Sequence, residues 1–199
     1  MATKKLELKI IIGSTRPDRF SEKVAEWFAE IAKKHEKFNV EVLDLRDYPM
    51  PFFEEPTSPS YMKLGDFKND VVKKWGRKIE EGDAFVIVSP EYNHGYSAVL
   101  KNALDYVYAP WNNKPVAFVG YGGVGGGRVV EQLREIAVEL QMAPIRNAVH
   151  IMAPWTLNDE DGALKAVALE PYAKAAEGLL NQLAWWAETL RAGRELGNK

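Results

Sequence analysis

Five short apolar runs punctuate the chain: Leu6–Ile12, Phe38–Leu43, Ala84–Val88, Val116–Val119 and Ala148–Met152. They are rich in Ile, Val and Phe and bounded by Gly, Pro, Asn or Asp, which predicts strands. Leu8, Ile10, Ile11 and Ile12 are nearly continuous, as in a strand covered on both faces. Helical spacing fills the gaps. Ser21–His35 places Val24, Trp27, Phe28 and Ile31 on one face. Val71, Trp75 and Ile79 repeat at four-residue intervals, and Val99, Ala103, Tyr106 and Val107 form a third stripe. A fourth helix is predicted from about Arg128 to Gln141, with Val130, Leu133, Ile136, Ala137 and Leu140 inward. A fifth is predicted from about Tyr172 to Arg191.

Strand and helix thus alternate five times. Right-handed crossovers turn that alternation into an α/β fold, a five-stranded parallel sheet with helices on both faces. The expected strand order is 2-1-3-4-5, with ligands outside the carboxyl ends of the strands. Two irregular stretches, Tyr48–Pro59 and Ala153–Gly162, read as loops rather than linkers, since the alternation continues across both. A chain of 199 residues suits one domain, taken here as residues 1–199.

Charge and cysteine content narrow the chemistry. The net charge is −2, so neither nucleic acid nor an anionic membrane is the expected partner. No cysteine is present, which excludes disulfides, thiolate metal sites and redox thiols. Any redox chemistry must therefore be carried by a bound cofactor. His35, His94 and His150 are too scattered for metal-ligand spacing. The N-terminus lacks the apolar core and cleavage site of a signal peptide, and no run approaches the roughly 20 apolar residues of a membrane span. A cytoplasmic location is expected.

In this fold the chemistry belongs to the loops after strands 1, 3 and 4. The first, Gly13–Lys23, carries hydroxyls at Ser14, Thr15 and Ser21 and guanidinium groups at Arg16 and Arg19, with a helix expected to start at Ser21. A helix N-terminus with hydroxyls and a bidentate donor attracts phosphate. Ser21 as a simple cap, with both arginines solvated, is the alternative. The second loop, Ser89–Ser97, places Tyr92 beside Asn93 and His94, groups that can face a flat heteroaromatic ring or form an ordinary turn. The third, Gly120–Arg128, is glycine at six of nine positions, so a ligand can approach its backbone closely. It spells G-x-G-x-x-G at positions 120, 122 and 125. A dinucleotide fingerprint would follow the first strand, however, and would need an acidic residue ending the next strand, where Met152-Ala153-Pro154 stands.

With these residues in hand, the chain resembles the NAD(P)H-dependent FMN reductase family, which includes quinone, azo-dye and chromate reductases. The resemblance is carried by G-S-T-R-P-D-R-F-S-E-K-V, by P-E-Y-N-H-G-Y-S-A-V-L-K-N-A-L-D and by Y-G-G-V-G-G-G-R, over about residues 6–151. It implies a flavodoxin-like three-layer sandwich. It assigns Ser14, Arg16 and Ser21, with the adjoining Glu22 and Lys23, to the FMN phosphate. It sets Pro90, Glu91, Tyr92 and Asn93 beside the isoalloxazine and ribityl chain, and Gly122 and Gly123 at the pyrimidine edge. It further implies NADPH or NADH as co-substrate, a small-molecule electron acceptor such as a quinone, free flavin or azo compound, and a homodimer or homotetramer. The chemistry would reside on the flavin, so no acid–base catalyst is assigned. A flavodoxin-type electron carrier is the alternative, although such carriers tend to be strongly acidic. Two features depart from the family pattern. Tyr121 stands where a small hydroxyl residue is frequent, and Tyr106–Trp111 is unusually aromatic, suiting either the core or a subunit contact.

Overall fold

The computed structural model describes residues 4–160, 163–165 and 167–197. Its strands are β1 (Leu6–Ile12), β2 (Phe38–Asp44), β3 (Ala84–Pro90), β4 (Pro115–Gly122) and β5 (Ala143–Met152). They form one sheet in the order β2-β1-β3-β4-β5, with every neighbouring pair parallel. The helices are α1 (Phe20–Lys34), α2 (Asp70–Glu81), α3 (Ala98–Asp105), α4 (Gly127–Glu139) and α5 (Ala173–Gly197). This is the flavodoxin-like sandwich that the alternating pattern predicts.

The near-continuous apolar runs are explained by two cores, one on each face of the sheet. Ile10 and Val86 pack with Val24 and Phe28 of α1 and with Leu179 and Leu183 of α5. Their sequence neighbours Ile11 and Phe85 point the other way, to Trp75 and Ile79 of α2, Leu104 of α3 and Leu133 of α4. All seven residues of β3 are buried, because alternate side chains each find a helix. Each large apolar side chain so enclosed contributes about 1.5–3 kcal/mol. Trp75 also satisfies its indole N–H on the Ala103 carbonyl at 2.8 Å.

Three boundaries differ from expectation for identifiable reasons. β5 begins at Ala143 rather than Ala148, because this edge strand has a bulge: Val116 pairs with Pro144 but Phe118 with Ala148. Side chains satisfy its backbone, with Arg134 donating to Ile145 O and Arg146 O and Asn147 N donating to Gln182. The polar Arg146-Asn147 pair therefore hides the strand from a reading based on apolar runs. α3 ends at Asp105, and Tyr106, Val107 and Trp111 beyond it are buried in the second core. Of the two places left open for the aromatic segment, these three side chains occupy the core. Tyr106 also holds the expected Tyr48–Pro59 loop, donating its phenol to Pro51 O at 2.9 Å. In the other expected loop, Pro154–Leu157 is a 3-10 turn, and Asp161 and Gly162 lie outside the described residues.

The sheet order places the first crossover reversal between β1 and β3. Their carboxyl ends are bound together: Gly13 N donates to Val88 O at 2.8 Å, and Ser97 Oγ donates to Gly13 O at 2.6 Å. A side chain at position 13 would lie 2.8 Å from that Val88 oxygen, so only glycine permits the approach.

Candidate functional site

Loops from β1, β3, β4 and β5 meet at this end of the sheet around a cleft of about 380 Å³. Of the residues assigned from the resemblance, Arg16, Pro90, Glu91, Tyr92, Gly122 and Gly123 line it, and Ser14, Ser21, Glu22, Lys23 and Asn93 do not. Arg19, Phe20, Tyr121, Trp155 and Asn158, which were not among the assigned residues, line it as well.

The first loop descends into α1 with Arg19, not Ser21, as the residue preceding the helix, and Arg19 makes no side-chain cap. Ser21 is instead fully buried in the first turn, and its hydroxyl has no partner of good hydrogen-bond geometry among the described residues. It faces the Tyr121 phenol, which burial pushes above the ordinary tyrosine range while Ser21 opposes that rise. Arg19 is 4% exposed. One of its terminal nitrogens pairs with Asp44 at the end of β2 and lies 3.6 Å from Glu22. Nε and Nη1 are buried with no partner among the described residues. Burying an unsatisfied polar group costs about 1–3 kcal/mol, which the pairing of the same guanidinium with Asp44 offsets in part. Arg16 is exposed, and its guanidinium lies 5.8 Å from the centre of the Tyr92 ring. Lys23 is half-buried on α1 beside this loop.

The second loop is built around a tight turn in which Tyr92 and Gly95 exchange backbone hydrogen bonds of 2.8 and 2.9 Å. Its central residues Asn93 and His94 have φ values of 48° and 70°, a left-handed pair that amide side chains tolerate better than most. Asn93 is exposed on the turn, away from the cleft wall. The turn aims Tyr92 back across the cleft, where its phenol meets Ser14 Oγ at 2.9 Å. Ser14 is thus buried behind Tyr92 and orients it.

Glu91 links this loop to the third. Its carboxylate accepts Arg128 N at 3.1 Å, Val129 N at 3.4 Å and Arg128 Nε at 2.6 Å. An acidic group at a helix N-terminus satisfies free N–H donors and complements the dipole, so Glu91 is committed to capping α4. Gly126 stands just before that helix at φ 67°, and a Cβ there would lie 2.6 Å from Tyr121 N. The glycine run is therefore needed to fold the loop tightly over the end of β4. Tyr121 is itself buried, edge-on to Phe20 at 5.3 Å, and forms part of the cleft wall.

The arrangement has a polar end and a flat end. At the α1 terminus, the exposed Arg16 guanidinium and Arg19 line the cleft beside the helix start, a kind of position that attracts anions. Toward the mouth, Pro90, Tyr92, Gly122 and Gly123 leave a slot with aromatic and backbone walls, suited to a flat ring. Arg19 could have been anticipated: a buried arginine needs a carboxylate, and Asp44 closes the neighbouring strand. Asn158 and Trp155 carry no signal in the sequence beyond their place after β5. No cluster of three or more metal-ligating side chains occurs among the described residues.

Residues 6–156 match the family described as NADPH-dependent FMN reductase. An NAD(P)H-dependent FMN reductase of Schizosaccharomyces pombe is 40% identical over 145 residues, 72% of each chain. An NAD(P)H:quinone oxidoreductase of Solanum tuberosum is 33% identical over 137 residues, 66% of this chain and 67% of its own. Among solved structures, the flavoenzyme NAD(P)H:(acceptor) oxidoreductase FerB of Paracoccus denitrificans superposes with a TM-score of 0.72 at 22% identity, covering 92% of this chain and 98% of its own, which establishes the shared fold. The three loops and the sequence match together place this chain in the NADPH-dependent FMN reductase family.

Proposed function

We propose that residues 1–199 act as one FMN-binding domain that takes electrons from NADPH or NADH and delivers them to a small-molecule acceptor such as a quinone, a free flavin or an azo compound. The observation that carries this reading is that the exposed Arg16 guanidinium and the start of α1 meet a flat-walled slot of Pro90, Tyr92, Gly122 and Gly123 in one cleft. FMN bound there supplies the two-electron chemistry, accepting hydride from the nicotinamide and returning electrons to the acceptor. The chain's residues bind and orient. Arg16 and the start of α1 at Ser21 hold the phosphate, and Ser14 acts through Tyr92. Pro90 and Tyr92 border the ring and ribityl chain, and Gly122 and Gly123 offer backbone groups to the pyrimidine edge. Glu91 keeps the second and third loops in register through Arg128.

The relatives are reductases of flavin and quinone, which favours this reading over an electron carrier. One cleft serving donor and acceptor in turn requires NADP+ to leave before the acceptor enters. Steady-state NADPH oxidation with a quinone should accordingly give parallel double-reciprocal lines, and absence of turnover with both NADPH and NADH would defeat the reading. We further propose a cytoplasmic homodimer or homotetramer. No helix among the described residues is long and apolar enough to cross a membrane. Light scattering showing only a 22.4 kDa species at micromolar concentration would contradict the oligomer.

A further inference from the structure

The six tryptophans divide unevenly. Trp27 lies against Phe28, Trp75 against Trp111, and Trp185 against Trp186, each edge-to-face. Trp155 has no ring partner among the described residues and is 66% exposed, yet it lines the cleft. Exposing an indole forgoes the burial that normally stabilises it. Its position is nonetheless tightly fixed. It follows Ala153, which adopts a left-handed conformation at φ 43° and ψ 58° that disfavours a residue with a Cβ. That kink is tied to the third loop, since Ala153 N donates to Gly122 O at 2.9 Å. The turn is closed by Thr156, whose N and Oγ1 both donate to Ala153 O at 2.9 Å, and by Lys165, whose Nζ donates to Thr156 O at 3.0 Å. The six-membered edge of the indole leans over Gly123, with Cη2 3.7 Å from where a Cβ would stand. Exposed Met152 and Val124 extend the same rim as an apolar shelf.

A strained, well-bonded turn that holds an unpartnered indole at the mouth of a cleft resembles a binding surface more than a packing defect. We propose that Trp155 is a positioning residue for the second ligand of the cleft, stacking the flat conjugated ring shared by nicotinamides and quinones. The inference rests on the reductase reading and adds to it the side chain that selects planar substrates. The indole lies at van der Waals distance from position 123, and because the turn that carries it is already held by hydrogen bonds, no loop ordering is required on binding.

The test is equilibrium dialysis of 1,4-naphthoquinone, and separately of NADP+, against oxidised holoprotein without NADPH, so that nothing turns over. Trp155→Ala should weaken one or both ligands about tenfold, whereas Trp155→Phe, which keeps a flat ring, should stay within about threefold of wild type. The ligand that weakens identifies which ring stacks there. NADPH oxidation with ferricyanide, an acceptor with no flat ring, should keep its wild-type KM for ferricyanide in Trp155→Ala. Unchanged affinity for both ligands in Trp155→Ala would overturn the proposal, as would equal losses in Trp155→Phe and Trp155→Ala. So would a lower scattering mass in Trp155→Ala with affinities intact, which would place the indole at a contact between copies. Wild-type protein that binds these ligands but fails to oxidise NADPH with ferricyanide would instead count against the reductase reading.

Discussion

The two ends of the sheet carry comparable numbers of charged groups and use them in opposite ways. At the amino end, Lys9 pairs with Glu41 and Glu81, Lys78 with the same two carboxylates, and Arg191 and Arg194 with Asp83. Even the buried Lys114 donates to Ile79 O at 2.9 Å and Glu80 O at 2.8 Å, closing the carboxyl terminus of α2. At the carboxyl end, Arg19 keeps Nε and Nη1 unpartnered among the described residues, and Asn93, His94, Ala153 and Gly126 hold left-handed backbone. Charge alone therefore does not mark a functional site. Left-handed backbone does not mark it either, since Asn113 and Gln141 hold it at the amino end; what differs is a buried guanidinium only partly paired beside an open cleft.

The comparison can be broken first at its backbone. Gly126→Ala must fit a Cβ 2.6 Å from Tyr121 N at a φ of 67°. It should destabilise the protein by about 2–4 kcal/mol and lower FMN affinity with it. Thermal melting and flavin titration of the same sample check this; a melting temperature within a degree of wild type would show that the loop relaxes freely.

Arg16→Ala tests the charge at the open end without disturbing the core, since Arg16 is exposed. Losing one charge-assisted hydrogen bond should weaken FMN about ten- to hundredfold and leave riboflavin and the melting temperature nearly unchanged. Equal losses for both flavins would make Arg16 a structural residue.

The amino end offers a smaller, pH-dependent effect. Burial lowers the Lys114 pKa to about 7, with Arg194 adding to the depression. The unfolded chain, with an ordinary lysine, binds more protons above that value, so stability should rise as pH increases from 7 toward 9. The gain should be about 1–2 kcal/mol in urea unfolding. Lys114→Met should flatten that rise, and an unchanged slope would assign it to other groups.

The least effect belongs to Lys78→Ala. Glu41 and Glu81 hold Lys78 protonated well above the ordinary lysine range, but Lys9 remains to pair with both carboxylates. The expected loss is under about 1 kcal/mol, with FMN affinity unchanged. A marked fall in FMN affinity would mean that the two ends are coupled.

The sheet order and the three ligand loops were legible because each leaves a local signature: apolar runs, helical spacing, and hydroxyl- or glycine-rich segments at strand ends. The missed features are those decided by partners distant in sequence. The ion pair of Arg19 is not legible until Asp44, 25 residues on, is brought beside it by the β1–β2 pairing. That Glu91, which lines the cleft, also caps the start of α4, 37 residues away, shows only in the fold. The first half of β5 stayed hidden because its bulge is held by side chains from α4 and α5 rather than by an apolar pattern. Trp155 escaped because exposure and the absence of a ring partner are properties of the folded surface.

The central claim is that the cleft at the carboxyl end takes a phosphate beside Arg16 and the start of α1. Isothermal titration of the apoprotein with FMN and with riboflavin, which differ only in that group, tests it most directly. The account predicts that FMN binds about a hundredfold more tightly or better, as expected when two or more charge-assisted bonds are gained. Equal affinity for the two flavins would contradict it.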